Sequence, residues 1–202
     1  MARIAIAHEV IWLRGFVATA PLRAAIERIA AAAPFRHLTT PGGGRMSVAM
    51  TNAGSCGWHS DASGYRYVDR DPATDRPWPH MPDEFAALAA GAAAAAGFEG
   101  FAPDCCLVNR YLVGAQMGTH RDYDELDLGQ PIVSVSIGLP AVFLWYGATR
   151  KGPPRRVPVV DGDVLVWGGT ARAGYHGVRR LAAGPDGAAD AVRYNLTFRR
   201  AR

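Results

Sequence analysis

Two histidines and one aspartate form the pattern in this sequence that is most suggestive of chemistry. His120 and Asp122 are separated by a single residue, and His176 follows much later in the chain. Because residues two apart on a β-strand point to the same face, His120 and Asp122 can approach one metal ion together. Two imidazoles and one carboxylate leave three coordination positions open, as in non-haem Fe(II) oxygenases, which bind a co-substrate and O2 at the same metal. The pattern therefore predicts a catalytic Fe(II) site at these three residues.

A second histidine also stands two residues before an aspartate, at His59 and Asp61. Its surroundings of Ser, Gly and Asp are typical of a turn, and no strand is predicted directly after it. A lone histidine is more often a hydrogen-bonded structural residue than a metal ligand. The His120 pair is therefore the better candidate. A closed zinc site is disfavoured, because two histidines and one carboxylate leave a tetrahedral shell incomplete.

Residues 192–199 alternate between two kinds of side chain, as expected of a strand with two different faces. The apolar face carries Val192, Tyr194, Leu196 and Phe198, and the polar face carries Arg193, Asn195, Thr197 and Arg199. Arginine pairs bidentately with carboxylates, so a polar face turned into a cavity can hold a dicarboxylate that also chelates the metal. Asn109 and Tyr111 share one face of another predicted strand and can donate to the same carboxylates. The alternative is an exposed edge strand decorated with arginine.

The composition is that of one globular domain. The chain has 202 residues, of which 49% are hydrophobic and 20% charged, which is enough to bury a substantial core. The net charge of +4 permits a polyanionic partner without requiring one. Three cysteines do not make a disulfide framework, which favours a reducing compartment, and the cytoplasm is the expected location. The sequence shows no signal peptide and no membrane span, so no membrane partner is expected.

Two helices are expected outside a mainly β core. Thr19 and Pro21 predict a helix start, and apolar residues at helical spacing continue the helix to Pro34. A second helix is predicted over about 82–96, with Gly97 as its C-terminal cap. Residues 3–13 are strand-like, and further strands are predicted at 105–113, 132–139, 141–146, 155–160, 163–167 and 191–199. Many short strands separated by Gly, Pro and Asp turns predict a jelly roll with helices packed outside.

Residues 39–80 differ in composition from the rest of the chain. They are rich in Gly, Pro, Asn, Ser and Asp, yet they also contain several tryptophans and tyrosines. A loop-rich stretch of this length inside a compact domain is typical of a lid or a binding surface, and the aromatic residues argue against disorder. We interpret it as short strands and loops folded over a site.

Several sequence strings, in this order, resemble the AlkB family of Fe(II)/2-oxoglutarate dioxygenases, which repair alkylated nucleic acid bases. The matching strings lie between about residues 34 and 200 and include Asn109-Arg110-Tyr111, His120-Arg121-Asp122 and Tyr175-His176-Gly177. The resemblance implies a double-stranded β-helix, or jelly roll, in a single dioxygenase domain over 1–202. It also implies a nucleotide-recognition lid at about 36–80 and a catalytic core at about 103–200.

The resemblance further implies a role for each candidate site residue. Fe(II) would be bound by His120, Asp122 and His176. The co-substrate 2-oxoglutarate would be held by Arg193 and Arg199, with Asn109, Tyr111 and Asn195 assisting. The nucleic acid would be contacted by Thr40, Met50, Trp58, Tyr65, Asp124 and Arg150. Trp58 would stack on one side of the target base, with the ring of His120 on the other.

The implied reaction is oxidative demethylation of bases of the 1-methyladenine or 3-methylcytosine type. It uses O2 and 2-oxoglutarate and releases succinate, CO2 and formaldehyde. The target must leave the helical stack, so the expected partner is single-stranded or base-flipped DNA, with RNA as an alternative. A monomer is the expected state.

Two departures from the family pattern bear on how tightly a strand binds. Gly44 stands where relatives usually have an aromatic residue, and Tyr123 stands where they have a basic one. Arg45 or Arg66 could replace a lost phosphate contact. Two other functions remain open: a 2-oxoglutarate oxygenase acting on a small molecule or protein, and a non-catalytic jelly-roll binding module.

Overall fold

The structure is a computed structural model that describes residues 2–183 and 191–202. The helices in these residues are α1 (Ala20–Ala32), α2 (Asp83–Ala96) and a short 3-10 turn at Gly169–Ala171. The first eight strands are β1 (Ala2–Ala7), β2 (Val10–Arg14), β3 (Arg36–Thr39), β4 (Arg45–Gly54), β5 (Gly57–Asp61), β6 (Gly64–Val68), β7 (Arg70–Asp71) and β8 (Arg76–Pro77). The remaining strands are β9 (Cys105–Tyr111), β10 (Met117–His120), β11 (Ile132–Gly138), β12 (Ala141–Gly147), β13 (Arg155–Val159), β14 (Val164–Trp167), β15 (Tyr175–Val178) and β16 (Arg193–Arg199).

Two sheets form the body of the fold. The larger has eight strands in the order β1-β2-β14-β11-β16-β9-β4-β3, and the smaller has four in the order β10-β15-β12-β13. Side chains of both sheets meet in one buried cluster, which includes Leu107 and Tyr111 of the larger sheet and Phe143 and Trp145 of the smaller. Two facing sheets with this strand order form a double-stranded β-helix, so the predicted jelly roll is confirmed.

Both helices cover the outer face of the larger sheet. Ile26 of α1 and Phe85 of α2 are buried in one cluster with Val108, Leu196 and Phe198 of the sheet. The rings of Phe85 and Phe198 meet edge to face, with centroids 5.9 Å apart. The apolar face predicted for β16 therefore packs against the helices. Its polar face is turned toward the smaller sheet, because successive side chains of a strand alternate between faces.

The helix ends agree with the sequence prediction. Thr19 occupies the N-cap position of α1, and Pro21 lies in its first turn. The Thr19 hydroxyl does not cap the helix but donates to Asp161 Oδ2 at 2.7 Å, which ties α1 to the loop between β13 and β14. α2 ends at Gly97, whose φ of 97° lies in the left-handed region that favours glycine. Neither α-helix of the described residues is long and apolar enough to span a membrane.

Several features of the described residues differ from the prediction. The strand-like residues 3–13 are interrupted by a turn and form the hairpin β1–β2. Within 39–80, β4 pairs with β9 and belongs to the larger sheet, so only part of this stretch can act as a lid. The expectation that His59 lies in a turn with no strand after it was wrong, because His59 lies in β5 and β6 follows. The polar residues near His59 form the tight connection of this hairpin, which a propensity argument cannot separate from a longer loop.

Candidate active site

A cavity of about 510 Å³ lies between the two sheets. Its walls come from β4, β9, β11, β14 and β16 of the larger sheet and from β10, β12, β13 and β15 of the smaller. The hairpin β5–β6 adds Trp58 and Tyr65. The predicted metal and co-substrate residues all line this one cavity: Asn109, Tyr111, His120, Asp122, His176, Arg193, Asn195 and Arg199.

The three predicted metal ligands form a compact triad. His120 ends β10, and His176 lies opposite it in the paired strand β15. His120 Nε2 is 3.7 Å from Asp122 Oδ1, and His176 Nε2 is 3.8 Å from Asp122 Oδ2. One ligand atom from each residue lies within 4.8 Å of the others, which is compact enough for the three to bind one metal ion.

Backbone carbonyl groups fix the orientation of both imidazoles. Nδ1 of His120 lies 2.8 Å from the Gly118 carbonyl oxygen, and Nδ1 of His176 lies 2.9 Å from that of Gly174. A carbonyl oxygen can only accept, so each Nδ1 must carry the proton. In the neutral form of each imidazole, the lone pair is then on Nε2, the atom that faces Asp122, as is typical of histidine ligands.

Aromatic rings surround His176. The ring centroids of Trp167, Phe143 and Trp145 lie 4.9, 5.6 and 6.2 Å from that of His176. Burial lowers the pKa of His176 to about 4, and the nearby His120 contributes in the same direction. The imidazole is therefore neutral at neutral pH, which is the form that binds a metal.

Asp122 is buried but stays ionised. Burial by itself raises the pKa of its carboxyl, but Arg199 and the two histidines together hold that pKa below the usual range. Arg199 Nη2 lies 3.0 Å from Asp122 Oδ2 without the alignment of a hydrogen bond. Asp122 Oδ2 thus has no hydrogen-bond partner among the described residues. A buried carboxylate oxygen without a donor, facing the Nε2 atoms of two imidazoles, fits an Fe(II) ion with open coordination positions.

Polar side chains of three adjacent strands line the cavity beside the triad. Arg193 Nη2 donates to Ser136 Oγ at 3.1 Å, and Asn195 Nδ2 donates to Ser134 Oγ at 2.8 Å. Asn109 Nδ2 donates to Asn195 Oδ1 at 3.2 Å. The polar face predicted for β16 is therefore a cavity wall, and the alternative of an exposed arginine-decorated edge strand was wrong.

Arg193 is a buried cation with no anionic partner among the described residues. It is 3% exposed, and its Nε and Nη1 have no hydrogen-bond partner among residues 2–183 and 191–202. Its guanidinium lies 5.8 Å from the ring centroid of Tyr111, and burial lowers its pKa. A buried charge without a partner is costly, so this arrangement fits an anionic ligand in the cavity. The two carboxylates of 2-oxoglutarate match one arginine here and a second, Arg199, at the triad.

The other His-x-Asp pair is held in an ion-pair cluster of its own. His59 Nε2 lies 3.3 Å from Asp61 Oδ2, and Asp61 accepts two hydrogen bonds from the Arg66 guanidinium, at 2.8 and 2.7 Å. In the described part of the chain, no third potential ligand joins this pair. Arg66 is therefore already bound to a carboxylate, whereas Arg45 lines the large cavity.

Most of the predicted nucleic-acid residues line the cavity. The rings of Trp58 and Tyr65 stack with centroids 5.6 Å apart and an interplanar angle of 17°. Trp58 Nε1 donates to Asp124 Oδ2 at 2.8 Å, which fixes the orientation of the indole. Thr40 and Met50 also line the cavity.

Arg150 is the one predicted residue that does not line the cavity. Its guanidinium lies 5.6 Å from the ring centroid of Tyr175 and donates to the carbonyl oxygen of Thr119. Because Thr119 directly precedes His120, Arg150 is nevertheless close to the triad along the outer surface.

Sequence reasoning missed a buried ionic network behind the triad. Glu125 Oε1 accepts a hydrogen bond from the Tyr67 hydroxyl at 2.6 Å and lies 3.2 Å from Arg199 Nε. Glu125 Oε2 lies 3.0 Å from Arg172 Nη2, and Arg172 Nη1 donates to the carbonyl oxygen of Asp122 at 3.1 Å. The network connects Tyr67 of β6 to Asp122 of the triad. The only sequence signal was an acidic residue in a polar loop, which is too common to single out Glu125.

We expect Tyr67→Phe to lower the free energy of unfolding by about 1.5–3 kcal/mol, the range for a hydrogen bond to a charged group. Burial raises the pKa of Tyr67, so its hydroxyl stays protonated and donates to Glu125. Urea unfolding followed by circular dichroism measures the effect. Tyr65→Phe is the matched control, because Tyr65 is 48% exposed, and its change should stay within about 0.5 kcal/mol. Equal stabilities of Tyr67→Phe and wild type would contradict this account.

A double-stranded β-helix that holds two histidines and one carboxylate beside buried arginines defines the class of Fe(II)- and 2-oxoglutarate-dependent oxygenases. The family sequence model of the 2OG-Fe(II) oxygenase superfamily matches residues 9–199 of this chain. Within that superfamily, the chain belongs to the AlkB family of dioxygenases.

The family assignment rests on close relatives that are matched over most of their length. The chain is 52% identical over 173 residues to the alpha-ketoglutarate-dependent dioxygenase AlkB of Salmonella typhimurium, covering 86% of this chain and 80% of that protein. It is 51% identical over 176 residues to AlkB of Escherichia coli, covering 87% of this chain and 82% of that protein. The solved structure of OsALKBH1 has a TM-score of 0.83 at 27% identity and covers 98% of this chain and 100% of that one. Membership of this family makes Fe(II) the cofactor and 2-oxoglutarate and O2 the co-substrates.

Proposed function

We propose that this dioxygenase oxidatively demethylates N-alkylated nucleic acid bases of the 1-methyladenine and 3-methylcytosine type. The observation that carries the proposal is the stacked pair of Trp58 and Tyr65, which lines the same cavity as the triad. An aromatic platform beside a metal site suits a planar base that has been taken out of its helix. Stacking on such a platform is worth about 1–3 kcal/mol per base. The two relatives that share half of the sequence both carry the name AlkB.

The proposed reaction consumes one O2 and one 2-oxoglutarate for each methyl group. The chemistry that Fe(II) supplies when bound is the insertion of one oxygen atom into an N-methyl C–H bond, while the other oxygen atom enters succinate as CO2 is lost. The hydroxymethyl group then leaves the base nitrogen as formaldehyde, which restores the base.

The cavity residues would hold the metal and the co-substrate in place. His120, Asp122 and His176 would bind the iron. Arg193 and Arg199 would each pair with one carboxylate of 2-oxoglutarate, with Asn109, Tyr111 and Asn195 as further hydrogen-bonding groups. Burial raises the pKa of Tyr111 to about 12, so its hydroxyl is protonated at neutral pH and can donate.

The base would lie between Trp58 and the ring of His120. Tyr65 and Asp124 would lie next to it, with Thr40 and Met50 at the cavity wall and Arg150 beside the strand. Asp124 holds the indole through one oxygen, and its carboxylate can also accept from an exocyclic amino group. Adenine and cytosine both carry such a group, which supports these two bases as targets.

The remaining features of the proposal concern the whole chain. We propose one domain over 1–202, with the nucleotide-recognition lid at about 36–80, apart from β3 and β4 of the larger sheet, and the jelly-roll core at about 103–200. The partner would be single-stranded DNA or a base flipped out of duplex, with RNA as an alternative strand, and the chain would act as a monomer. Cys56, Cys105 and Cys106 are buried free thiols, which suits the reducing cytoplasm.

Formaldehyde release from a single-stranded oligonucleotide that contains 3-methylcytosine tests the proposal directly. The reaction mixture contains Fe(II), 2-oxoglutarate and ascorbate, and Asp122→Ala serves as the control. We expect formaldehyde and succinate in equal amounts from the wild type and neither from the control, because the control lacks a carboxylate ligand.

Two other outcomes would redirect the search. Slow conversion of 2-oxoglutarate to succinate without formaldehyde would point to an oxygenase acting on a small molecule or protein. A complete lack of turnover, with no stabilisation by metal and 2-oxoglutarate together, would favour a non-catalytic binding module.

A further inference from the structure

Aromatic rings and guanidinium groups alternate on the surface beside the cavity, in the order Tyr123, Arg121, Tyr175 and Arg150. We refer to these four residues as the stacking ladder. The Arg121 guanidinium lies 4.6 Å from the ring centroid of Tyr123 and 5.4 Å from that of Tyr175. The Arg150 guanidinium lies 5.6 Å from the same Tyr175 ring. All three distances are within the reach of a cation–π contact, so the four side chains order one another.

The stacking ladder is connected to the proposed base site by the chain itself. Tyr123 lies between Asp122 of the triad and Asp124, which accepts the hydrogen bond from Trp58. Arg121 lines the cavity together with these residues. A strand whose target base enters the cavity must therefore carry its next nucleotide past this surface.

Two properties of the ladder indicate what it binds. Tyr123 is 56% exposed, so much of its side chain is open to solvent even with the Arg121 guanidinium beside it. Large exposed aromatic rings often mark binding sites. Arg121 and Arg150 form no salt bridge within residues 2–183 and 191–202. A single nucleic acid strand presents phosphates and planar bases in alternation. The guanidinium groups of Arg121 and Arg150 suit the phosphates, and the exposed ring of Tyr123 suits a base.

We propose that Tyr123 is the stacking platform for the nucleotide next to the target base, and that Arg121 and Arg150 contact the phosphates on either side of it. The inference rests on the proposed function, because a strand seated in the cavity determines which nucleotide reaches Tyr123. In a duplex, the neighbouring base is already stacked and paired. The platform therefore adds affinity mainly for single strands.

Anisotropy of a fluorescein-labelled oligonucleotide with one 3-methylcytosine tests the platform. Mn(II) replaces Fe(II) and 2-oxoglutarate is present, so that the strand binds without turnover. Tyr123→Ala should raise the Kd for the single strand about 5- to 150-fold, the range for one lost base–aromatic stack, with a smaller rise for the duplex. Tyr123→Phe keeps the ring and should bind like the wild type. Leu126→Ala is the matched control, because Leu126 is 83% exposed in the same loop and has no place in the ladder.

Salt dependence and a fluorescent base separate stacking from charge. Tyr123→Ala should leave the slope of log K against log salt unchanged, whereas Arg121→Gln should reduce it by about 0.7–1. 2-Aminopurine is placed on either side of the lesion in turn. On the side where it stacks on Tyr123 its fluorescence should be quenched by the wild type, and Tyr123→Ala should restore that fluorescence. Equal Kd values for wild type and Tyr123→Ala, with formaldehyde release intact, would overturn the platform alone. A wild type that neither binds nor demethylates the strand would overturn the proposed function as well.

Discussion

Replacing His176 with alanine should abolish Fe(II) binding and lower demethylation by more than about 100-fold, while the fold persists. The loss of a hydrogen-bonding partner of a metal ligand already costs about 10- to 100-fold, so the loss of a ligand should cost more. His176 is the buried histidine of the triad, and its neutral imidazole directs Nε2 at Asp122. Without it, one imidazole and one carboxylate remain, which do not define an Fe(II) site.

The matched control for this experiment is His59→Ala. His59 also stands two residues before an aspartate, and its Nε2 also lies close to a carboxylate, at 3.3 Å. It has no third potential ligand among the described residues, so its loss should leave metal affinity unchanged. Anaerobic calorimetric titration with Fe(II) measures affinity, and circular dichroism checks the fold. Wild-type affinity in His176→Ala would refute the assignment of this ligand.

The sequence predicted those parts of the site that follow from the alternation of side chains along a strand. The spacing of His120 and Asp122 predicts two ligands on one side of the chain, and the two side chains do lie together although Asp122 lies just beyond the end of β10. The alternation in β16 likewise separates the helix-facing side from the cavity wall, because side chains of a strand change face at each residue. Leu196 packs on the helices, while Asn195 lines the cavity.

The parts that were missed depend on contacts between distant segments. The strands β10 and β15, which carry the two histidines, have four residues each and contain Gly118 and Gly177, so local propensity does not reveal them. Their pairing is set by the closure of the smaller sheet. The hydrogen bond between Tyr67 and Glu125 joins residues 58 positions apart, and no sequence period connects them. Periodicity therefore identified which faces carry the chemistry, and the fold determined which buried charges support it.

Arg193→Met should remove the stabilisation by 2-oxoglutarate without weakening the free protein. In the free protein, Arg193 is a buried cation with two nitrogens that lack a partner among the described residues. A buried charge without a counter-charge is costly, so replacing it with an apolar side chain of similar length should be neutral or stabilising. At 100 times its Kd, a ligand stabilises the folded state by about 2.7 kcal/mol. For a chain of this size, that raises the wild-type melting temperature by about 5–10 °C.

Thermal unfolding with Mn(II), with and without 2-oxoglutarate, measures both effects. The variant should melt at or above the wild-type temperature without co-substrate and should gain little from its addition. A lower melting temperature that still rises with 2-oxoglutarate would instead make Arg193 a structural residue.

The same substitution at the other arginine of β16 should have the opposite effect on the free protein. Arg199 lies 3.0 Å from Asp122 Oδ2 and 3.2 Å from Glu125 Oε1, so its charge already has partners in the protein. Arg199→Met would leave two buried carboxylates with less compensation, and removing one partner of a buried ion pair costs about 3–5 kcal/mol. We therefore expect Arg199→Met to melt well below the wild type without 2-oxoglutarate. The two variants would then differ in melting temperature, because Arg193 depends on the co-substrate for its counter-charge and Arg199 does not.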